Sequence, residues 1–206
     1  MLFETSYKTI VKSSEGLFKD KGSKFIAFVY AINSEADIKK FLTVVKGNHP
    51  KASHHCYAWR LGAAKTLYRT NDDGEPSGSA GKPIFAVIQS NDLTNTLIIV
   101  VRYFGGSLLG IPGLINAYKS AAADAIARNI IVEKPITEKY ALHFGYEVMN
   151  LIMPKLKQRG INITKQVFRE ENVIELDVEK IYADSFVKGI IGDYLLKDKV
   201  ILNLLS

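Results

Sequence analysis

Asn95-Thr-Leu-Ile-Ile-Val-Val-Arg-Tyr103 runs straight into Phe104-Gly-Gly-Ser-Leu-Leu-Gly-Ile-Pro-Gly113, and this join decides how the first half of the chain folds. The first stretch is an unbroken apolar run of strand length, which predicts a strand buried on both faces. Beyond Pro112 the pattern changes period: Leu114, Ile115, Tyr118, Ala121, Ala122, Ala125 and Ile126 recur at helical spacing, predicting a helix to about Arg128. Between them lies backbone that must turn sharply or be approached closely. A second stretch of the same kind precedes it, Asn71-Asp-Asp-Gly-Glu-Pro-Ser-Gly-Ser-Ala-Gly-Lys-Pro83, and the two loops hold seven of the 15 glycines. Each loop enters a predicted helix, where unpaired backbone N–H groups gather and favour an anion.

Outward from these loops, Tyr7 to Ser13 and Phe18 to Ile32 read as strands, with Asp20-Lys-Gly-Ser23 as a turn. Ser34 and Asp37 form a capping pattern ahead of Ile38, Phe41, Leu42 and Val45, a helix stopped by Gly47 and Pro50. A short strand follows over His55 to Leu61, and Pro83 suits the start of a helix. After Glu133-Lys-Pro135 the order is strand, helix, strand, strand, helix, strand. The helices fall near Tyr146–Arg159 and Tyr182–Leu196, with Pro154 predicting a kink or early break in the first. This order predicts a ferredoxin-like split βαβ domain over 136–206 and an α+β chain as a whole, with the first domain covering 1–135.

At 206 residues the chain is long enough for one large or two small domains. No apolar run reaches the ~18 residues a membrane span needs, and the opening residues lack the order of a signal peptide, so the expectation is a cytoplasmic protein with no membrane partner. One cysteine, Cys56, excludes an intrachain disulfide. The formal charge is +6, and residues 1–135 carry 17 Lys and Arg against 11 Asp and Glu, while 136–206 carry 10 of each. An anionic partner would meet the first domain. Solubilising lysines at positions 8, 12, 19, 21 and 24 explain the same excess.

The loops, with Val100-Val-Arg-Tyr-Phe-Gly-Gly106, His54-His-Cys-Tyr57 and Lys21-Gly-Ser-Lys-Phe-Ile-Ala27, resemble the YigZ/IMPACT family in motif and order. The resemblance implies a first domain with the α/β sandwich of a ribosomal-protein second domain, shared with domain IV of elongation factor G. It also implies a second domain resembling domain V of that factor. Eukaryotic relatives of the first domain are translation regulators that act through a protein partner, whereas the resemblance implies no defined activity for bacterial members. The chain departs from the family pattern at Leu109-Gly-Ile-Pro-Gly-Leu-Ile-Asn-Ala-Tyr118: Pro112 removes an N–H and Asn116 stands where an arginine is common, which weakens anion binding by this loop.

Candidate ligand residues follow. Asp72, Asp73 and Glu75 match turn capping better than a cation site, so no metal or cofactor is expected. Ser77, Ser79 and Lys82 fit a phosphate cradle and a plain turn equally; the P-loop spacing is absent. His54 and Cys56 share one strand face and His55 the other, short of a zinc site. Phe104 is expected in the core. Arg102, between an apolar strand and Gly105-Gly106, needs an acidic partner or an anionic ligand, and pairing with the acidic loop would bring the two loops together. Arg69, His54, Tyr103 and Asn116 are accessory candidates. Three readings follow: a non-enzymatic translation-associated regulator binding RNA or the ribosome, an enzyme acting on a phosphorylated small molecule between the loops, or a protein-interaction module marked by an exposed apolar patch.

Overall fold

A computed structural model describes residues 4–168 and 172–205. The chain is mixed α/β with antiparallel sheets, and its described residues divide into two compact units, residues 7–134 and residues 135–168 and 172–205 together with 4–6.

In the first unit, β1 (Ser6–Ile10) pairs with β7 (Ile131–Pro135) in a sheet of their own. The main sheet contains β2 (Ser14–Asp20), β3 (Ser23–Ala31), β4 (His54–Leu61), β5 (Leu67–Asn71) and β6 (Thr96–Tyr103) in the order β2-β3-β6-β4-β5, every neighbour antiparallel. Lys21 and Gly22 join β2 to β3 with φ of 42° and 79°, the doubly left-handed geometry whose twist suits a two-residue hairpin. The apolar run of β6 lies at the centre of the sheet and is buried as far as Arg102.

Helices cover both faces. On one, Ile98 and Val100 of β6 pack with Phe25, Ala27, Cys56 and Ala58 against α2 (Gly81–Ser90) and α3 (Gly110–Ala127). On the other, Leu97, Ile99 and Val101 pack with Phe28 and Trp59 against Ile38 and Val45 of α1 (Glu35–Asn48). The α1 capping box forms: Ser34 Oγ accepts from Asp37 N and Asp37 Oδ2 accepts from Ser34 N. Pro83 and Pro112 fall in the first turns of α2 and α3, where a missing N–H breaks no intrahelical bond. Strand β5, which the apolar pattern does not announce, closes one edge of the sheet.

The second unit runs β8 (Thr137–Phe144), a single 3₁₀ turn, α4 (Met149–Gln158), β9 (Asn162–Phe168), β10 (Asn172–Glu179), α5 (Lys180–Ile191) and β11 (Val200–Leu205). Its sheet order is β11-β8-β10-β9, antiparallel throughout. Tyr140, Leu142, Ile174 and Leu176 of the sheet enclose a core with Ile152, Leu156, Phe186 and Ile190 of the helices. Two expectations need correcting. Of the kink or early break expected at Pro154, the break does not occur: helix α4 continues through it to Gln158. Helix α5 stops at Ile191, because Asp193 organises a turn that delivers Leu196 to the core from outside the helix. No helix among the described residues is long and apolar enough to cross a membrane.

Gly105, which follows β6 in the second glycine-rich loop, lies flat against the β2–β3 turn: a Cβ there would stand 1.9 Å from the carbonyl carbon of Gly22. Gly105→Ala should therefore destabilise the protein by about 1–3 kcal/mol or more. Gly47→Ala, on the open face of α1 with nothing near its missing Cβ, should stabilise it by about 0.5–1 kcal/mol. Urea denaturation of the two variants beside the parent checks both signs.

Candidate functional site

The register of the main sheet sets Phe25, Arg102 and His54 side by side on three adjacent strands, facing the α2/α3 layer. Arg102 is only 5% exposed, so its charge needs compensation. Of the three nearby carboxylates in the sequence, Glu75 supplies it. Arg102 Nη1 donates to Glu75 Oε1 at 2.7 Å, and the guanidinium carbon stands 5.4 Å from the ring centroids of both Phe25 and Phe104. The same Glu75 oxygen accepts from the Tyr118 hydroxyl at 2.7 Å, and His54 Nε2 lies 3.9 Å from it. The Cys56 thiol is within hydrogen-bond reach of the Tyr118 hydroxyl (3.3 Å) and of the Asp72 carbonyl oxygen (3.0 Å). Strands β4 and β6, helix α3 and the Asp72–Lys82 loop thus meet in one buried polar cluster.

The groups in this cluster are held in defined states. Burial pushes the Cys56 thiol up to about 12, so at neutral pH it is protonated and a poor nucleophile. Burial, followed by the neighbouring Cys56, also raises the Tyr118 hydroxyl. The His54 Nδ1 faces the Asp73 carbonyl oxygen at 2.8 Å, an atom that only accepts, so this nitrogen carries a proton and the opposite nitrogen is the one turned toward Glu75.

The first glycine-rich loop is satisfied by its own acid. Asp72 Oδ1 accepts from Ala80 N (3.0 Å) and Gly81 N (2.8 Å), and Oδ2 from Gly78 N (2.9 Å). Burial works to raise this carboxyl, but the three backbone donors outweigh it and hold the group below the ordinary value. Two N–H groups at the start of α2, those of Ala80 and Gly81 in the expected cradle for an external anion, are therefore taken by Asp72. Gly81 is required for this arrangement, since a Cβ would come within 2.7 Å of Asn71 N. Ser79 is buried and donates to the Pro76 carbonyl; Ser77 and Lys82 are exposed, with the Lys82 stem alongside Gly78. Asp73 Oδ2 accepts from the backbone N–H of His55.

The structure brings together His54, Glu75 and Arg102 from the sequence candidates. Tyr103 points to the other sheet face and meets His49 Nδ1 at 2.9 Å, as strand alternation requires. Arg69 on β5 and Asn116 on α3 are exposed, as is Gly106, and none of the three lines the cavity described below. The Gly105 N–H donates to Ser23 Oγ at the start of β3. Phe104 is not core; it is 49% exposed and covers one face of Arg102. Tyr118 is the residue that sequence reasoning missed. A tyrosine in the small-residue stripe of α3 was the available signal, because a buried hydroxyl demands a partner. A cavity of about 500 Å³ opens beside the cluster, lined at its polar end by Ser53, His54, Glu75 and Arg102 and walled by Phe104, Leu108, Leu109, Ile111 and Leu114. Most of its wall comes from the second loop. The first loop contributes only Glu75 and Pro76.

Residues 21–126, which contain all of this cluster, match the model of the Impact N-terminal domain. The chain is 31% identical to "IMPACT family member YvyE" of Bacillus subtilis over 88% of its length and 83% of that protein's. This chain belongs to the IMPACT family. "IMPACT family member YigZ" of Escherichia coli is 37% identical over 72% of this chain and 75% of its own length. The IMPACT homologue of Saccharomyces cerevisiae aligns with about half of the chain, 34% identical over 53%, and with 43% of its own. The crystal structure of a hypothetical protein shares the fold across 99% of the chain and 98% of its own, with a TM-score of 0.77 at 27% identity.

Within this IMPACT-family domain, removing Glu75 leaves Arg102 buried without its counter-charge. Glu75→Ala should cost about 3–5 kcal/mol. Tyr118→Phe, which deletes one donor to the same oxygen, should cost about 1–2 kcal/mol. Chemical denaturation of the two variants checks the order as well as the size of these losses.

Proposed function

We propose that this chain is a translation-associated regulatory protein whose first unit docks a protein partner at the cavity beside Arg102. The single observation that carries the docking reading is the apolar strip on the second loop and the start of α3: Leu108 is 84% exposed, and Phe104, Ile111 and Ile115 are exposed beside it. Apolar side chains grouped at the mouth of a cavity are a mark of a binding surface. The connection to translation comes from the family resemblance, whose eukaryotic members act through a protein partner. The two-layered βαββαβ arrangement of the second unit supports a ferredoxin-like domain like domain V of elongation factor G. The helix-covered sheet of the first unit supports the ribosomal-protein-like assignment, with the domain boundary at Pro135.

RNA is a weaker match for this surface. The Asp72–Lys82 loop spends three of its backbone donors on the Asp72 carboxylate, Arg102 is paired with Glu75, and the second loop adds apolar groups instead of cations. A catalytic reading draws support from His54, whose proton on Nδ1 leaves Nε2 at the cavity. The cluster's nucleophilic groups, Cys56 and Tyr118, are buried and held protonated, which favours binding over catalysis.

In a cell-free translation extract, the full chain should change reporter yield in proportion to its concentration. A Leu108→Asp/Ile111→Asp variant, folded to the same melting temperature, should lose that effect. No effect of the parent chain contradicts the translation reading. A variant as active as the parent, with an effect that fades steeply as salt rises, contradicts the docking face and points to RNA.

A further inference from the structure

A cavity of about 640 Å³ lies within the second unit, where β10 ends at Glu179 and α5 begins at Lys180. Glu179 and Asp177 stand two apart on β10 and share one side of the strand, with Thr137 of β8 opposite Glu179 and Asn162 of β9 opposite Asp177. Val178, between them, joins Phe186 in the core. All six line the cavity, so its wall is part polar and part apolar.

Charges of both signs stand in this wall without neutralising each other. Among the described residues neither Asp177 nor Glu179 has a hydrogen-bond or ion-pair partner for its carboxylate, and Lys139, opposite Asp177 on β8, forms no ion pair with it. Asp177 Oδ1 is fully buried, so no ligand reaches that atom. What the cavity receives from Asp177 is its uncompensated negative charge, while the exposed Glu179 offers a carboxylate for direct contact. Arg159, also in the wall, is the cation, and among the described residues it pairs with no carboxylate, these two included. Its guanidinium lies against α5 at Gly189, where a Cβ would stand 2.5 Å from Nη2 and 2.7 Å from Nη1. Glycine inside a helix costs about 1 kcal/mol relative to alanine, and here it clears a seat that fixes a long, flexible side chain in place.

A ligand that is only an anion would meet two carboxylates here, and one that is only a cation would meet Arg159. A small zwitterion satisfies both signs at once. Ile161, Val178 and Phe186 add an apolar surface beside the charges. We infer that this cavity binds a free α-amino acid with an apolar side chain. Its carboxylate lies on Arg159, its ammonium faces Glu179 and the charge of Asp177, and its side chain packs on Ile161 and Phe186. This site is independent of the docking reading, which concerns the first unit alone.

The full chain labelled with ¹⁵N is titrated with L-leucine and L-phenylalanine, then with L-leucinamide and N-acetyl-L-leucine, each of which lacks one of the two charges. The free amino acids should shift the backbone amides of 159–162 and 177–186, and each blocked analogue should bind at least about tenfold more weakly than leucine. Gly189→Ala introduces a better helix former, so the melting temperature should hold or rise, yet it displaces Arg159 and should weaken leucine binding about tenfold. Arg159→Gln, at an exposed position, should show the same loss of binding. No shift in these segments with either amino acid up to about 20 mM overturns the site. Leucinamide binding as tightly as leucine, or both variants binding like the parent, overturns the role of Arg159. N-acetyl-leucine binding as tightly as leucine overturns the role of the two acids and leaves no zwitterion site.

Discussion

The ion pair between Arg102 and Glu75 is the contact on which the architecture of this site depends. Arg102 stands one residue from the end of the central strand of the sheet and Glu75 sits in a loop some thirty residues earlier, so a 2.7 Å contact between them fixes loop to sheet. Through the same oxygen, Tyr118 ties α3 to that loop. Desolvating two charges is expensive, and a buried pair of this kind gains more in defining one arrangement than in net stability. Here the arrangement it defines is the position of two glycine-rich loops that have no regular secondary structure to hold them.

Backbone approach does the rest of the positioning. Gly105 packs directly on Gly22, which presses the second loop to the β2–β3 turn, and Gly81 packs on Asn71, which folds the first loop back over β5. Asp72 then occupies the start of α2 with a carboxylate from within the loop, doing by a side chain what an external anion does at other helix starts. The consequence for function is a shift of emphasis. The first loop is a self-satisfied support, and the second, with Phe104, Leu108 and Ile111 outward, is the surface available to a partner.

Much of this was legible from residue pattern. The central strand and α3 showed themselves through a change of apolar period, and the burial implied for Arg102 by Leu-Ile-Ile-Val-Val ahead of it required a counter-charge from the acidic loop. Other parts carry no periodic signal. Strand β5, Leu67–Asn71, exposes three of its residues and offers no alternation to read. Which of three acids meets Arg102 depends on turn geometry: Asp72 is consumed by N–H groups six to nine residues on, and Asp73 by His55, leaving Glu75. Phe104 looked like core because it continues an apolar run, yet the chain leaves the sheet one residue before it. Tyr118 was hidden in a helix face whose other members are alanines and aliphatics, where the ring reads as packing and the hydroxyl leaves no trace in spacing.

If the ion pair holds the two loops as one unit, they should open together when it is weakened. Amide hydrogen exchange on the full chain carrying Glu75→Gln measures this residue by residue. The account predicts that residues 74–81 and 104–114 lose protection in parallel, while Leu97 to Val101 in the sheet keep theirs. Loss confined to one loop, or no loss in either, would contradict it.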